Sequence, residues 1–281
     1  MRYLRVTDED ALLAALSEPS AAILCGGTDL IVRMRSGLSS PKLLVDVSTV
    51  PSLLGIHATG EAIEIGAAVP EAEILASPRI QEQLPLLVTA LRSLGSVQIR
   101  SRGSLAGNLV NASPAADSIV PLLLYNTELE LVGPDSVRIL PVAEFLVGPG
   151  KTALGPMEFV RTIRIPRPTD GYHGFYHKVG RRRALTIAIA SLGSLVQIHN
   201  GIVKEARFAA GSVAPTPVRL GAVETYLEGR ALVPETFAEA GRLAMDAVSP
   251  ISDVRASETY RREVIGDLVI RALRSIHREA A

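Results

Sequence analysis

The sequence predicts an α+β fold in two or three lobes. Three observations carry that prediction. Short apolar runs of strand length alternate with helical stretches over the first fifty residues. Paired runs around turn residues follow, and a long hairpin with three helices closes the chain. The 281 residues, 47% of them hydrophobic, are enough for a sizeable core.

Thr7-Asp8-Glu9-Asp10 starts a helix over 11–16, with acids in the first turn where the helix dipole favours them. Residues 21–24 and 43–47 predict two buried strands, so the first segment is a small α/β unit. Ile56, Ala58, Ile63 and Ile65 alternate around Thr59-Gly60-Glu61 as a hairpin. Two helical stretches follow, the clearer over 84–94 with Leu84, Leu87, Val88, Leu91 and Leu94 on one side. A helix is predicted over 116–125, with Pro114 near its start, and a hairpin over 128–140 turning at Gly133-Pro134-Asp135-Ser136. Residues 159–165 alternate as a strand ending at Pro166. The stretch from Pro166 through Asp170 to Gly171 is the best linker. Strands over 187–198 and 203–210 join through His199-Asn200-Gly201, and helices follow over 218–228, 234–248 and 256–276.

Lys+Arg 29 balances Asp+Glu 29, so nothing in the global charge argues for a nucleic-acid or anionic-membrane partner, and none is expected. The one cysteine, Cys25, allows no internal disulfide and fits a reducing compartment. It also cannot supply an iron–sulfur cluster, which normally needs four cysteines. The first ten residues lack an apolar signal core, and runs such as 119–125 are too short to span a bilayer, so a cytoplasmic protein is expected.

Two glycine-bearing segments hold the chemical signal. Cys25-Gly26-Gly27-Thr28-Asp29-Leu30 follows a strand, and Gly103-Ser104-Leu105-Ala106-Gly107-Asn108 follows a helical stretch. Both are predicted as turns whose small residues let backbone N–H groups approach a phosphate. The first alone reads equally well as a tight strand-to-helix turn. Neither fits the G-x-G-x-x-G fingerprint of a Rossmann unit, so a different nucleotide-binding fold is implied. Asn111, Ser113 and Asp117 extend the polar series. Asp117 either accepts from a ribose hydroxyl or serves as an acid in a helix first turn.

Other motifs carry less. Gly148-Pro149-Gly150-Lys151-Thr152 ends like a P-loop, but Phe145 stands where its first glycine belongs, so it reads as a loop. His173 and His177 lack further zinc ligands, and 172–178 reads as a half-buried strand that could set an aromatic ring or Lys178 near a ring-shaped ligand. Arg181-Arg182-Arg183 reads as a solvated basic face or a contact for a partner or phosphate. No nucleophile–base pair is present, so no catalytic residue and no metal site are assigned, and any redox chemistry belongs to a bound cofactor.

The segments resemble the FAD-binding medium subunit of molybdenum hydroxylases, the xanthine dehydrogenase and carbon monoxide dehydrogenase group. Its first loop, A-G-G-T-D-L, is matched by Cys25 to Leu30; its second, Q-I-R-N-x-A-T-x-G-G-N, by Gln98 to Asn108. A following N…A-D-S pattern is matched by Asn111, Ala116, Asp117 and Ser118. The stretches 148–152 and 211–219 also resemble family segments, so the resemblance covers essentially the whole chain. It implies an α+β FAD-binding fold of the vanillyl-alcohol oxidase (PCMH) type, with a C-terminal antiparallel sheet and helices. The implied division is 1–55 and 56–170 as FAD-binding subdomains and 171–281 as the C-terminal domain.

The resemblance further implies FAD held by Leu24, Cys25, Gly26, Gly27, Thr28, Asp29 and Leu30, then by Arg100, Gly103, Ser104, Leu105, Ala106, Gly107 and Asn108. Asn111, Ser113, Ala116, Asp117, Tyr176 and Lys178 complete the implied set. The pyrophosphate would rest on the N–H groups of both loops, with Leu105 and Ala106 near the flavin edge. Implied partners are a large molybdopterin-binding subunit and a small [2Fe–2S] subunit, assembled as a dimer of heterotrimers. NAD⁺ or another acceptor would take the electrons. A stand-alone flavin oxidase and a non-enzymatic nucleotide-binding regulatory or assembly protein are the competing readings. The chain departs from the family at Cys25 for alanine, Ser101 for asparagine and Ala106 for a glycine. Thr186 stands where some members carry an acid.

Overall fold

The structure, a computed structural model, describes residues 1–169, 171–182 and 185–280. Asp170 of the linker and Arg183 of the arginine triplet lie outside the described residues. In chain order the first elements are β1 (Arg2–Arg5), α1 (Glu9–Leu16), β2 (Ala21–Leu24), α2 (Leu30–Arg35), β3 (Leu43–Asp46), β4 (Ile56–Ala58) and β5 (Ala62–Gly66). Helices α3 (Glu71–Ala76), α4 (Pro78–Gln83), α5 (Pro85–Ser93), α6 (Val97–Arg100), α7 (Leu105–Asn111) and α8 (Ile119–Leu124) follow. Next come β6 (Glu128–Val132), β7 (Val137–Pro141), α9 (Val142–Phe145), β8 (Leu146–Gly148), β9 (Lys151–Thr152) and β10 (Phe159–Pro166). The chain ends with β11 (Tyr172–Val179), β12 (Ala190–His199), β13 (Ile202–Gly211), β14 (Val218–Arg219), α10 (Gly221–Leu227), α11 (Pro234–Asp246) and α12 (Glu258–Ala280).

Two compact units result. The first comprises Met1–Pro78, Ser96–Asn111 and Asn126–Arg167; the second comprises Arg79–Gly95, Ala112–Tyr125 and Pro168–Ala281.

In the first unit, β1, β3 and β2 form a parallel sheet in that order. Asp8 caps α1, its Oδ1 accepting the Ala11 N–H at 2.8 Å. Strand β2 is half-buried rather than fully buried as expected, because it lies at a sheet edge. Strand β1 was not expected. Its four residues are all exposed and show no apolar alternation, and it is held by parallel pairing to β3. The larger sheet runs β4-β5-β10-β6-β7, antiparallel throughout. Its period-two pattern puts Ile63, Ile65, Leu129, Leu131, Ile163 and Ile165 in the core, each fully buried. The opposite face carries charge, where Arg161 reaches Glu130 at 2.7 Å and Glu9 at 3.3 Å. The stretch 148–152, expected as a loop, holds the end of β8, a turn at Pro149-Gly150 and all of β9; Gly150 permits the turn with φ +66°.

In the second unit, the antiparallel sheet β11-β12-β13-β14 is covered on both faces. Ala190, Leu192, Val196, Phe208 and Ala210 share a core with Val223, Phe237, Ile265, Val269 and Leu273 of α10, α11 and α12. The other face meets α5 and α8. A methyl on Gly193 would stand 2.9 Å from both Val120 and Leu124, so glycine lets α8 lie close. Asn200 and Gly201 turn the β12–β13 hairpin with φ of +50° and +77°. The helices expected from 116 and 218 each begin three residues later than predicted. Val218 and Arg219 pair with β13 as β14, which delays α10 to Gly221. Residues 113–117 form turns instead of the start of a helix: Ser113 Oγ accepts from the Ala115 N–H at 3.2 Å, and α8 starts at Ile119. Among the described residues no helix is long and apolar enough to cross a membrane.

Candidate functional site

The two glycine segments meet within the first unit. The first leaves β2 at Leu24, turns through Cys25 to Asp29 and enters α2 at Leu30. The second leaves α6 at Arg100, turns through Ser101 to Gly103 and enters α7 at Leu105. They touch backbone to backbone. A methyl on Gly26 would stand 1.8 Å from the Arg102 carbonyl oxygen and 2.9 Å from the Gly103 nitrogen, so only glycine fits. A methyl on Gly103 would stand 3.3 Å from Thr28 Oγ1. Gly27 bends the first loop with φ +70°.

This apposition leaves donors unused. Among the described residues, the N–H groups of Gly27, Thr28, Asp29 and Leu30 make no backbone hydrogen bond. Consecutive N–H groups around a left-handed residue form a concavity suited to an anion. The donor set and the small side chains fit a diphosphate.

The second segment differs from its predicted form. It is a turn only as far as Ser104, because α7 begins at Leu105. Ser104 is the cap: its Oγ accepts the Gly107 N–H at 3.1 Å and its carbonyl accepts the Asn108 N–H at 3.1 Å. Leu105 and Ala106 are buried at 1% and 5% exposure, so the methyl of Ala106 lies in packed surroundings. Gly107 is exposed and Asn108 half-buried. Cys25 lies between Ala68, whose carbonyl is 3.9 Å from Sγ, and Ser104. Burial pushes its thiol pKa up, and hydrogen bonds from the Ser104 hydroxyl and the Gly26 N–H pull it part of the way back. Arg100 ends α6 half-buried, and Asn111 ends α7.

A second group of expected residues gathers inside the second unit. Lys178 Nζ donates to Asp117 Oδ2 at 2.5 Å and to the Ser93 carbonyl at 3.1 Å. The Tyr176 hydroxyl donates to Asp117 Oδ1 at 3.4 Å. Both partners of the ion pair are 8% exposed. Burial pushes the Asp117 carboxyl up, and the Lys178 charge and the two hydrogen bonds pull it back. Burial, then the Asp117 charge, pushes the Tyr176 hydroxyl well above its usual value. Asp117 precedes α8 rather than standing in its first turn. Ser113 is half-buried and Ala116 buried in the turns before it.

Sequence reasoning missed Pro70 and Glu71. Ser104 forms an antiparallel bridge with Pro70, and the Glu71 N–H donates to the Gly103 carbonyl at 2.8 Å. A proline followed by an acid signals a helix start, but nothing in the sequence ties it to a loop thirty residues on.

Comparison with known proteins gives consistent results. The family model described as the FAD binding domain in molybdopterin dehydrogenase matches residues 1–168. The model described as the CO dehydrogenase flavoprotein C-terminal domain matches residues 175–276. The chain is 30% identical over 258 residues to the xanthine dehydrogenase FAD-binding subunit of Escherichia coli O157:H7, covering 91% of this chain and 88% of that one. It is 30% identical over 263 residues to the carbon monoxide dehydrogenase medium chain of Hydrogenophaga pseudoflava, covering 94% and 91%. Its fold superposes with a TM-score of 0.94 on a chain of the carbon monoxide dehydrogenase from Hydrogenophaga pseudoflava that lacks the Mo-pyranopterin moiety, at 29% identity, covering 98% and 96%. The α+β fold is thus the PCMH-type FAD-binding fold with its C-terminal domain, and the chain belongs to the family of FAD-binding domains in molybdopterin dehydrogenases, an oxidoreductase component whose cofactor is FAD.

Proposed function

We propose that this chain is the FAD-carrying electron-transfer subunit of a heterotrimeric molybdenum hydroxylase. A large molybdopterin-binding subunit would oxidise the substrate, and a small [2Fe–2S] subunit would relay electrons to this chain, which delivers them to NAD⁺ or another acceptor. The observation that supports the reading is the backbone contact of Gly26 with Arg102 and Gly103, which brings the two distant loops together. The single cysteine supports it too, since iron–sulfur clusters must come from another chain. When bound, FAD supplies the electron-transfer chemistry.

The chain's own residues bind and orient. The N–H groups of Gly27, Thr28, Asp29 and Leu30 donate to phosphate oxygens. Gly26 holds the loops in contact, and Ser104 fixes the start of α7 beneath them. Arg100, Gly103, Leu105, Ala106, Gly107 and Asn108 are proposed as further contacts. The resemblance adds Asn111, Ser113, Ala116, Asp117, Tyr176 and Lys178 as candidates. The subdomain limits 1–55, 56–170 and 171–281, and residence in the cytoplasm, belong to the same proposal.

Purification from the native host tests it. The proposal predicts a noncovalent, acid-releasable flavin together with co-purifying molybdenum and iron. A flavin-loaded chain isolated alone, without either metal, would favour a stand-alone flavin oxidase. Reduction of the flavin by NADH would identify NAD⁺ as the acceptor.

A further inference from the structure

The two glycine loops rest on a third segment, Ala68 to Glu71, which joins β5 to α3. All four links lie inside the first unit. The Ala68 carbonyl faces Cys25 Sγ at 3.9 Å, at the start of the first loop. Pro70 bridges Ser104 in the second loop. The Glu71 N–H donates to the Gly103 carbonyl at 2.8 Å. The Glu71 side chain turns onto the same glycine: a methyl on Gly103 would lie 3.5 Å from Glu71 Oε2, 3.3 Å from Thr28 Oγ1 and 3.2 Å from the Ile99 carbonyl. Glu71 is 2% exposed, a degree of burial rare for a carboxylate. It is the first residue of α3, where the dipole favours its charge.

From this geometry we infer that Glu71 is a positioning residue for the cofactor cradle. Any side chain on Gly103 would meet Ile99, Thr28 of the first loop and Glu71. The Gly103 carbonyl is held by the Glu71 amide while its α-carbon lies under the Glu71 carboxylate. Glu71 therefore sets the height of the second loop against the first, and so the wall that Gly103 presents beside the first-loop donors that meet the FAD diphosphate. It acts through the backbone of Gly103. Glutamine keeps the volume of the side chain but replaces the carboxylate that lies beside Gly103; alanine removes it.

The inference rests on the assignment of this cradle to FAD, and its test separates the two. The full chain, stripped of flavin, is titrated with FAD as wild type, Glu71→Gln and Glu71→Ala. Thermal melting of the flavin-free form and the visible circular dichroism of the bound flavin are recorded alongside. Wild type that binds no FAD defeats the assignment itself. With wild type binding, Glu71→Gln is expected to melt like wild type when flavin-free, to bind FAD several-fold more weakly and to show an altered flavin dichroism band. Glu71→Ala should weaken binding further. If Glu71→Ala fails to fold, Glu71→Gln decides alone. Glu71→Gln with wild-type or tighter affinity and an unchanged dichroism band overturns the inference, and so does weaker binding matched by an equal fall in flavin-free stability.

Discussion

Gly26 is the residue on which the cradle depends. Overpacking usually costs about 1–3 kcal/mol when side chains can give way. Here the obstacle is the Arg102 carbonyl at 1.8 Å, which is main chain and cannot rotate aside. Gly26→Ala is therefore expected to separate the loops and weaken FAD binding at least about tenfold, equivalent to about 1.4 kcal/mol. Ser104 has a smaller, local role as the cap of α7. Ser104→Ala should lower stability by about 1 kcal/mol in denaturant unfolding. Ala106, which departs from the family's glycine, stands in the first turn of α7. Alanine suits a helix better than glycine, so Ala106→Gly is expected to lower the melting temperature. The glycines were legible in the sequence because only turns and close contacts need them in such a pattern. Ser104 as a cap was not, because the following Leu-Ala-Gly-Asn reads equally well as turn or helix.

Elements are pinned by a few polar groups. Strand β1 has no buried side chain, and it is tied to β3 through Asp46, which accepts hydrogen bonds from Tyr3, from Arg5 Nε at 3.1 Å and from the Ser48 N–H at 2.9 Å. Burial pushes the Asp46 carboxyl up, but these bonds outweigh it and hold the pKa at about 2. A folded-state value below the unfolded one means stability that is present above about pH 4 and lost as pH falls through about 2. Wild type should exceed Asp46→Asn by about 2 kcal/mol near neutrality, and the gap should close over that window in pH-dependent urea unfolding. The Asp117–Lys178 pair ties the turn before α8, the end of α5 and β11 together in the second unit. Lys178→Ala leaves a buried carboxylate alone and should cost about 3–5 kcal/mol; Asp117→Asn combined with Lys178→Met should recover much of it. Strands with alternating or continuous apolar runs were legible. Strand β1 was not, because it rests on pairing with the distant β3; nor were the delayed start of α8, set by the local Ser113 turn, and the short strand β14, set by pairing with β13.

At the scale of the molecule, the single cysteine already means that this chain alone cannot supply an iron–sulfur cluster. The resemblance supplied family and cofactor, which the family matches support. The sequence did not reveal how the chain is shared between its two compact units, since 79–95 and 112–125 join the second unit from within the span that leads to the first. Pairing with β10 returns 126–167 to the first unit, while packing on β11–β13 draws α5 and α8 to the second. The central claim is that two loops far apart in sequence form one FAD cradle. Equilibrium titration of the flavin-free chain with FAD, wild type against Gly26→Ala, tests it most directly. One FAD per wild-type chain, and binding at least about tenfold weaker in the variant, is the predicted result. Equal affinity in the two proteins, or a well-folded wild type that binds no FAD, would contradict it.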